Sequence, residues 1–176
     1  MPQWLEWTLI ALAGVAALYV LFFIVVVFII YKFNKRLTKR REALRLLLAQ
    51  RKDITLSLFQ LASKEKIAIT TAVRLKMSEL SNKEIGLFND HEIIEYSPTL
   101  EKIAKLVTDM IDGHKSLKKS EEYRQFKKEL TELDEIKRQH IAIYNSDVNG
   151  YNYWIRLKSY RRILLALNFS EKKRLE

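Results

Sequence analysis

Three histidines, 21 carboxylates and no cysteine are the groups from which this 176-residue chain could build a metal site or an acid–base pair. His91, His114 and His140 fall in separate segments. His91-Glu92 lacks the second histidine four residues on that a zinc-binding helix presents. Without cysteine there is no disulfide, no thiolate ligand and no thiol nucleophile. No carboxylate stands alone in an apolar run, where desolvation would raise its pKa and suit it to proton transfer. Four glycines leave no room for a Gly-rich phosphate loop. The expectation is no catalytic residue, no cofactor-binding residue, no metal ligand and no enzyme.

One polar strip stands out. Tyr144, Val148, Tyr151 and Ile155 are spaced four, three and four apart, which puts them on one helical face. Asn145 and Asn152 flank that face, and His140 lies one turn before it. Buried tyrosines carry hydroxyls that need polar partners, and a buried amide can fix helix register. Packing within a bundle is the expected role, with the asparagines bonding across helices; a surface strip for a partner helix or ligand is the alternative. Tyr and Asn are weak nucleophiles without an adjacent base or metal.

The elements that must position this strip divide sharply in character. Trp7 to Tyr31 runs 25 residues without a charge, a helix of roughly 37 Å that can cross a bilayer. Trp4, Trp7 and Tyr31 lie at its ends, where amphipathic rings favour the headgroups. A cleaved leader would have a basic start and a core of about 7–15 residues, neither of which fits. Lys32, Lys35, Arg36, Lys39, Arg40 and Arg41 crowd the far flank. Cytoplasmic flanks carry the Lys/Arg excess, so a single-pass protein is expected, with residues 1–6 outside, 7–31 spanning, 32–41 as a basic juxtamembrane segment and the remainder cytoplasmic.

The chain carries a formal +10. The six flanking cations fit anionic lipid headgroups, at about 1 kcal/mol each near the surface. Elsewhere lysine and arginine are spread through every segment, usually beside acids as in 118–138, and no recognition motif occurs, so nucleic acid is not an expected partner. The stretch 153–169 mixes aromatic, aliphatic and basic residues as membrane-surface helices do. If the chain leaves the bilayer, returns and leaves again, however, that stretch ends far from it.

Residues 34–80 contain no Gly or Pro, and Leu37, Leu44, Leu47, Leu48, Ile54, Leu58 and Leu61 recur at helical spacing. One long helix to Leu80 is expected. Ser81 and Glu84 form a possible capping box. Ser97-Pro98 signals the next helix, with Leu100, Ile103, Leu106, Val107 and Met110 inward and a stop at Gly113. Ser120 followed by two acids opens the last, striped by Tyr123, Phe126, Leu130 and Leu133. Gly150 marks close packing or a kink. The expected architecture is all-α: one transmembrane helix, then an antiparallel bundle over 42–168, then a polar tail 169–176 that frays.

The run Tyr144-Asn145-Ser146-Asp147-Val148-Asn149-Gly150-Tyr151-Asn152, YNxxVxxYN, resembles the signature of the LemA family of bacterial membrane-anchored helical proteins. Leu117, Lys118, Ser120 and Tyr123 are similar to that family's opening of the same helix. Leu130 and Asp134 fall where it has a leucine and an acid. Gln50-Arg51-Lys52-Asp53-Ile54 sits where it carries an Arg-Asp-Leu stretch. Lys115 stands in place of a proline, Ile141 in place of an arginine, and the closing Phe-Pro is missing near Lys158, so the helix could run on through Arg162. The resemblance implies a bacterial inner-membrane location and this architecture, and no agreed activity. Self-association, docking of a membrane-protein partner and lipid binding are the expected modes of action.

Overall fold

The computed structural model describes residues 2–88 and 90–175, apart from the side chains of Leu87, Asp90 and His91. Of the described residues 83% are helical and none lies in a strand. The helices are α1 (Gln3–Lys64), α2 (Thr71–Ser81), α3 (Asp90–Asp112), α4 (Lys115–Lys118), α5 (Glu121–Ile155) and α6 (Arg161–Ala166), with a 3-10 turn at Ile85–Leu87.

The long first helix ends at Lys64, not Leu80. Lys66 takes a left-handed φ of 56°. Its N–H donates to Ser63 O and that of Ile67 to Ala62 O, each at 3.1 Å. This pair of bonds is the Schellman closure, usually built on glycine. Here a lysine holds the left-handed position, and Ile67 and Ala62 are both buried in the core. The capping box expected at Ser81 is absent as well. Ser81 ends α2, and its hydroxyl donates back to Ser78 O at 2.8 Å. Lys52 Nζ donates to Ser81 O and Lys83 O at 3.1 and 2.7 Å, satisfying carbonyls at and just beyond the end of α2.

Ser97 and Pro98 lie inside α3 rather than at its start. A proline within a helix costs about 3 kcal/mol. Starting at Asp90 buries Ile93 and Tyr96 in line with Leu100, Ile103, Val107 and Ile111, and burying one large apolar side chain contributes about 1.5–3 kcal/mol. The stop before Gly113 and the start of α5 are as expected, with Ser120 Oγ accepting the Tyr123 N–H at 3.3 Å. Leu106, expected inward, is 44% exposed. The last long helix closes at Ile155 and does not run on through Arg162.

The chain divides into two compact units. One comprises Lys39–Tyr144 and Leu175–Glu176. Its core gathers Leu58, Leu61, Met77, Leu80, Leu100, Val107 and Tyr123. Contacts between α3 and α5 pair rising with falling numbers: Glu101 meets Lys137, and Asp112 meets Lys127. The other unit comprises Met1–Thr38 and Asn145–Arg174. There the first part of α1 lies against the end of α5 and the α6 segment. Phe33 abuts Gly150, and Tyr19, Phe22 and Phe23 surround the Tyr160 ring at centroid distances of 4.7, 5.8 and 5.3 Å.

Candidate functional site

The residues of the YN strip are largely buried. Val148, Tyr151 and Ile155, in the unit that includes Asn145–Arg174, carry at most 2% exposure, and Tyr144, in the Lys39–Tyr144 unit, carries 1%. Asn145 is half-buried. Burial raises the Tyr151 hydroxyl pKa above its ordinary value, so the phenol stays protonated at neutral pH.

Asn152 does something the helical spacing alone does not indicate. Its Nδ2 donates to Lys172 O and its Oδ1 accepts the Lys172 N–H, both at 2.9 Å. A primary amide thus pairs with both main-chain groups of one residue in an irregular segment, not with a neighbouring helix. Arg156 reinforces the grip, donating through Nε and Nη2 to Glu171 Oε2 at 3.1 and 2.7 Å. That hydrogen bond and charge hold the Glu171 carboxyl below its ordinary range. Lys172 Nζ lies 5.4 Å from the centre of the Tyr151 ring. The polar tail therefore does not fray at residues 171–172. The path to it is fixed at Asn168, left-handed at φ 62°, where the N–H groups of Asn168 and Phe169 donate to Leu165 O and Leu164 O.

In the other unit Leu175 is 7% exposed and lines a cleft of about 330 Å³ with Leu44, Leu48, Ile93, Ser97 and Ile141. Its polar wall is a linked set. Lys137 Nζ reaches Ser97 Oγ at 2.5 Å and also bonds the Glu101 carboxylate. Burial alone would raise the Glu101 pKa, but the Lys137 bond and charge, with Arg51 and Ser97, outweigh it and lower it. A carboxylate held ionised in this way is a structural ion-pair member rather than a proton donor. Arg51, with a side chain only 9% exposed, pairs with Asp134, and its Nη2 lies 3.5 Å from Oδ2. Thr55 donates to Arg51 O at 2.7 Å.

A second cleft, about 490 Å³, is walled by Glu79, Glu84, Glu92 and Glu95 with Lys76, Lys83 and Tyr96. Burial pushes the Tyr96 hydroxyl up to about 12, so it remains protonated at neutral pH. No group of three or more potential metal ligands occurs among the described residues. The side chain of His91 lies outside the described residues. His114 is exposed, and His140 is half-buried on α5 with Nδ1 unbonded.

The expected membrane residues occupy α1. Trp4, Trp7 and Tyr31 are 65%, 71% and 61% exposed. Lys32, Lys35, Arg36 and Lys39 are exposed, while Arg40 and Arg41 are half-buried. Among the described residues one helix is long and apolar enough to cross a membrane. Sequence reasoning missed Phe33, Tyr160, Lys172 and Leu175, because their roles depend on segments far apart in the chain. The one local signal was the aromatic Tyr160 amid basic residues. Comparison of the chain with protein-family models, with curated proteins and with solved structures finds no match.

Proposed function

We propose that this chain is a membrane-anchored, non-enzymatic scaffold or assembly protein of a bacterial cytoplasmic membrane. It crosses once, with the N-terminus outside, and carries a LemA-like antiparallel bundle in the cytoplasm. The observation that supports this best is that one unbroken helix serves as both anchor and core element. Helix α1 is exposed at every position over Trp7–Phe22, then buries Val26, Ile30, Leu37, Leu44, Leu48 and Leu58 along one face. The Arg51–Asp134 pair supports the LemA-like reading, because two of the positions that suggested it meet across helices. Anionic headgroups are the lipid partner of the basic flank, and nucleic acid has no place in the reading.

The protein acts by self-association or by holding a partner at the membrane. An accessory-subunit role is the second reading, favoured by Ala13, Gly14, Ala16 and Ala17. These small residues are exposed, with open space around the Gly14 Cα, and small residues allow close approach of a second transmembrane helix. Particles extracted in native-lipid discs, weighed by light scattering and identified by mass spectrometry, test both. A discrete multiple of 20.9 kDa supports self-assembly. Stoichiometric foreign subunits support the accessory role, and a lone monomer at all membrane densities refutes both.

A further inference from the structure

Where the return segment meets α1 overturns the expectation that residues 153–169 end far from the bilayer. Tyr160 OH donates to Tyr19 O at 3.3 Å, and Tyr19 OH donates to Ser159 O at 3.0 Å. These contacts lie twelve residues inside the uncharged stretch that ends at Tyr31, about 18 Å along the helix. The part of α1 exposed at every position is Trp7–Phe22, about 24 Å of a hydrocarbon layer of about 30 Å. The missing 6 Å is four residues, which sets the inner bilayer edge near Val26 rather than Tyr31. Leu157–Leu167 runs just inside that level: its Tyr160 meets Tyr19, Phe22 and Phe23, about 5–10 Å along α1 from Val26, a depth that interfacial segments reach. Its Lys158, Arg161 and Arg162 are exposed, and so are Ile163, Leu165 and Leu167, at 45%, 48% and 50%.

We propose that Leu157–Leu167 is a second membrane-contacting element, seated at the inner bilayer edge. Ile163, Leu165 and Leu167 enter the acyl boundary while Lys158, Arg161 and Arg162 hold anionic phospholipid headgroups. The chemistry on both sides matches. Residues 153–174 carry seven basic side chains against one acid, and each cation near an anionic surface contributes about 1 kcal/mol. The exposed aliphatics have no reason to face water beside a helix that is itself apolar all round. Continuity of this face with α1 through Tyr160 selects a bilayer over a soluble partner. Arginine at the bilayer centre would be costly, whereas at the edge it reaches the headgroups.

The inference rests on Trp7–Phe22 spanning the bilayer, and the two are separable. The absence of native cysteine allows single labels at V15C, L165C, L167C and E132C in the full chain. These would be reconstituted in phosphatidylcholine vesicles with and without phosphatidylglycerol, and an attached fluorophore quenched by spin-labelled lipid or by aqueous iodide. Lipid quenching at 15, 165 and 167 with iodide quenching at 132 is the expected result. Arg161→Glu with Arg162→Glu should lower lipid quenching at 165 at least twofold and leave 15 unchanged. Lipid quenching at 15 with iodide quenching at 165 and 167 overturns the proposal and leaves the span standing. Shielding of 165 and 167 from both quenchers, as a second protein would give, overturns it too. Iodide quenching at all four positions refutes the span and the second contact together.

Discussion

Replacing Gly150 by alanine sets two opposed effects of similar size against each other. In the interior of a helix such as α5, alanine is favoured over glycine by about 1 kcal/mol. A Cβ at position 150 would stand 2.7 Å from Phe33 Cζ and 2.8 Å from Cε1. Carbon atoms prefer about 3.5–4.0 Å, so the ring must retreat by roughly 1 Å, and overpacking of this kind costs about 1–3 kcal/mol. Gly150→Ala should therefore lie between neutral and about 2 kcal/mol destabilising. In a Phe33→Ala background the obstruction is gone and the same change should stabilise by about 1 kcal/mol. The coupling between the sites is then about 1–3 kcal/mol. Thermal melts of the four proteins in one detergent read it directly, at about 2–4 °C per kcal/mol for a chain of this size. An equal gain from Gly150→Ala in both backgrounds refutes the close approach, and with it the alignment that carries Tyr160 to Tyr19.

Asp134→Ala leaves the buried Arg51 guanidinium without its carboxylate. Full burial would make this a loss of about 3–5 kcal/mol; Asp134 is 39% exposed, which lowers the expectation to about 2 kcal/mol by urea titration, and Arg51→Met in the same chain should recover most of it. Asn152→Ala removes two hydrogen bonds to Lys172, worth about 1 kcal/mol each, so amide exchange at Lys172 should quicken about 30-fold; unchanged protection would show that the tail is held elsewhere. Glu101 and Asp112 both have lowered pKa values. Burial opposes the shift at Glu101, where Lys137 outweighs it, and at Asp112 the Lys127 hydrogen bond leads. Both bind protons less tightly folded than unfolded, so their stabilisation is present above the ordinary carboxylate range and is lost as pH falls below about 5. Lys137→Met with Lys127→Met should flatten the acid limb of a stability–pH curve, and an unaltered limb would remove these pairs from the account.

Most of what the sequence determined concerns short-range pattern. The uncharged run to Tyr31, the stripe Tyr123–Leu130–Tyr144–Val148–Tyr151, the Ser120 cap and the stop before Gly113 rest on hydrophobic periodicity and local backbone chemistry, which act within a few residues. The all-helical class and the membrane-length helix follow from the same source. The signals that misled were also local. Ser97-Pro98 has the chemistry of a helix start, but burial of Ile93 and Tyr96 extends α3 ahead of it. The Gly-free stretch 34–80 promised continuity, yet Lys66 turns left-handed because Ile67 gains burial by the turn.

Where distant segments meet is set by packing in three dimensions. The spacing of Asn152 fits a bundle amide, but its partner is the main chain of Lys172, twenty residues on. The tail looked polar and free because Glu171, Lys172 and Lys173 hide the one apolar residue, Leu175, that is buried. Phe33 against Gly150 and Tyr160 against Tyr19 join residues more than a hundred positions apart, and no periodicity in either segment encodes that pairing. It comes from the fit of an aromatic ring over a missing side chain, a steric match that exists only when both helices are present.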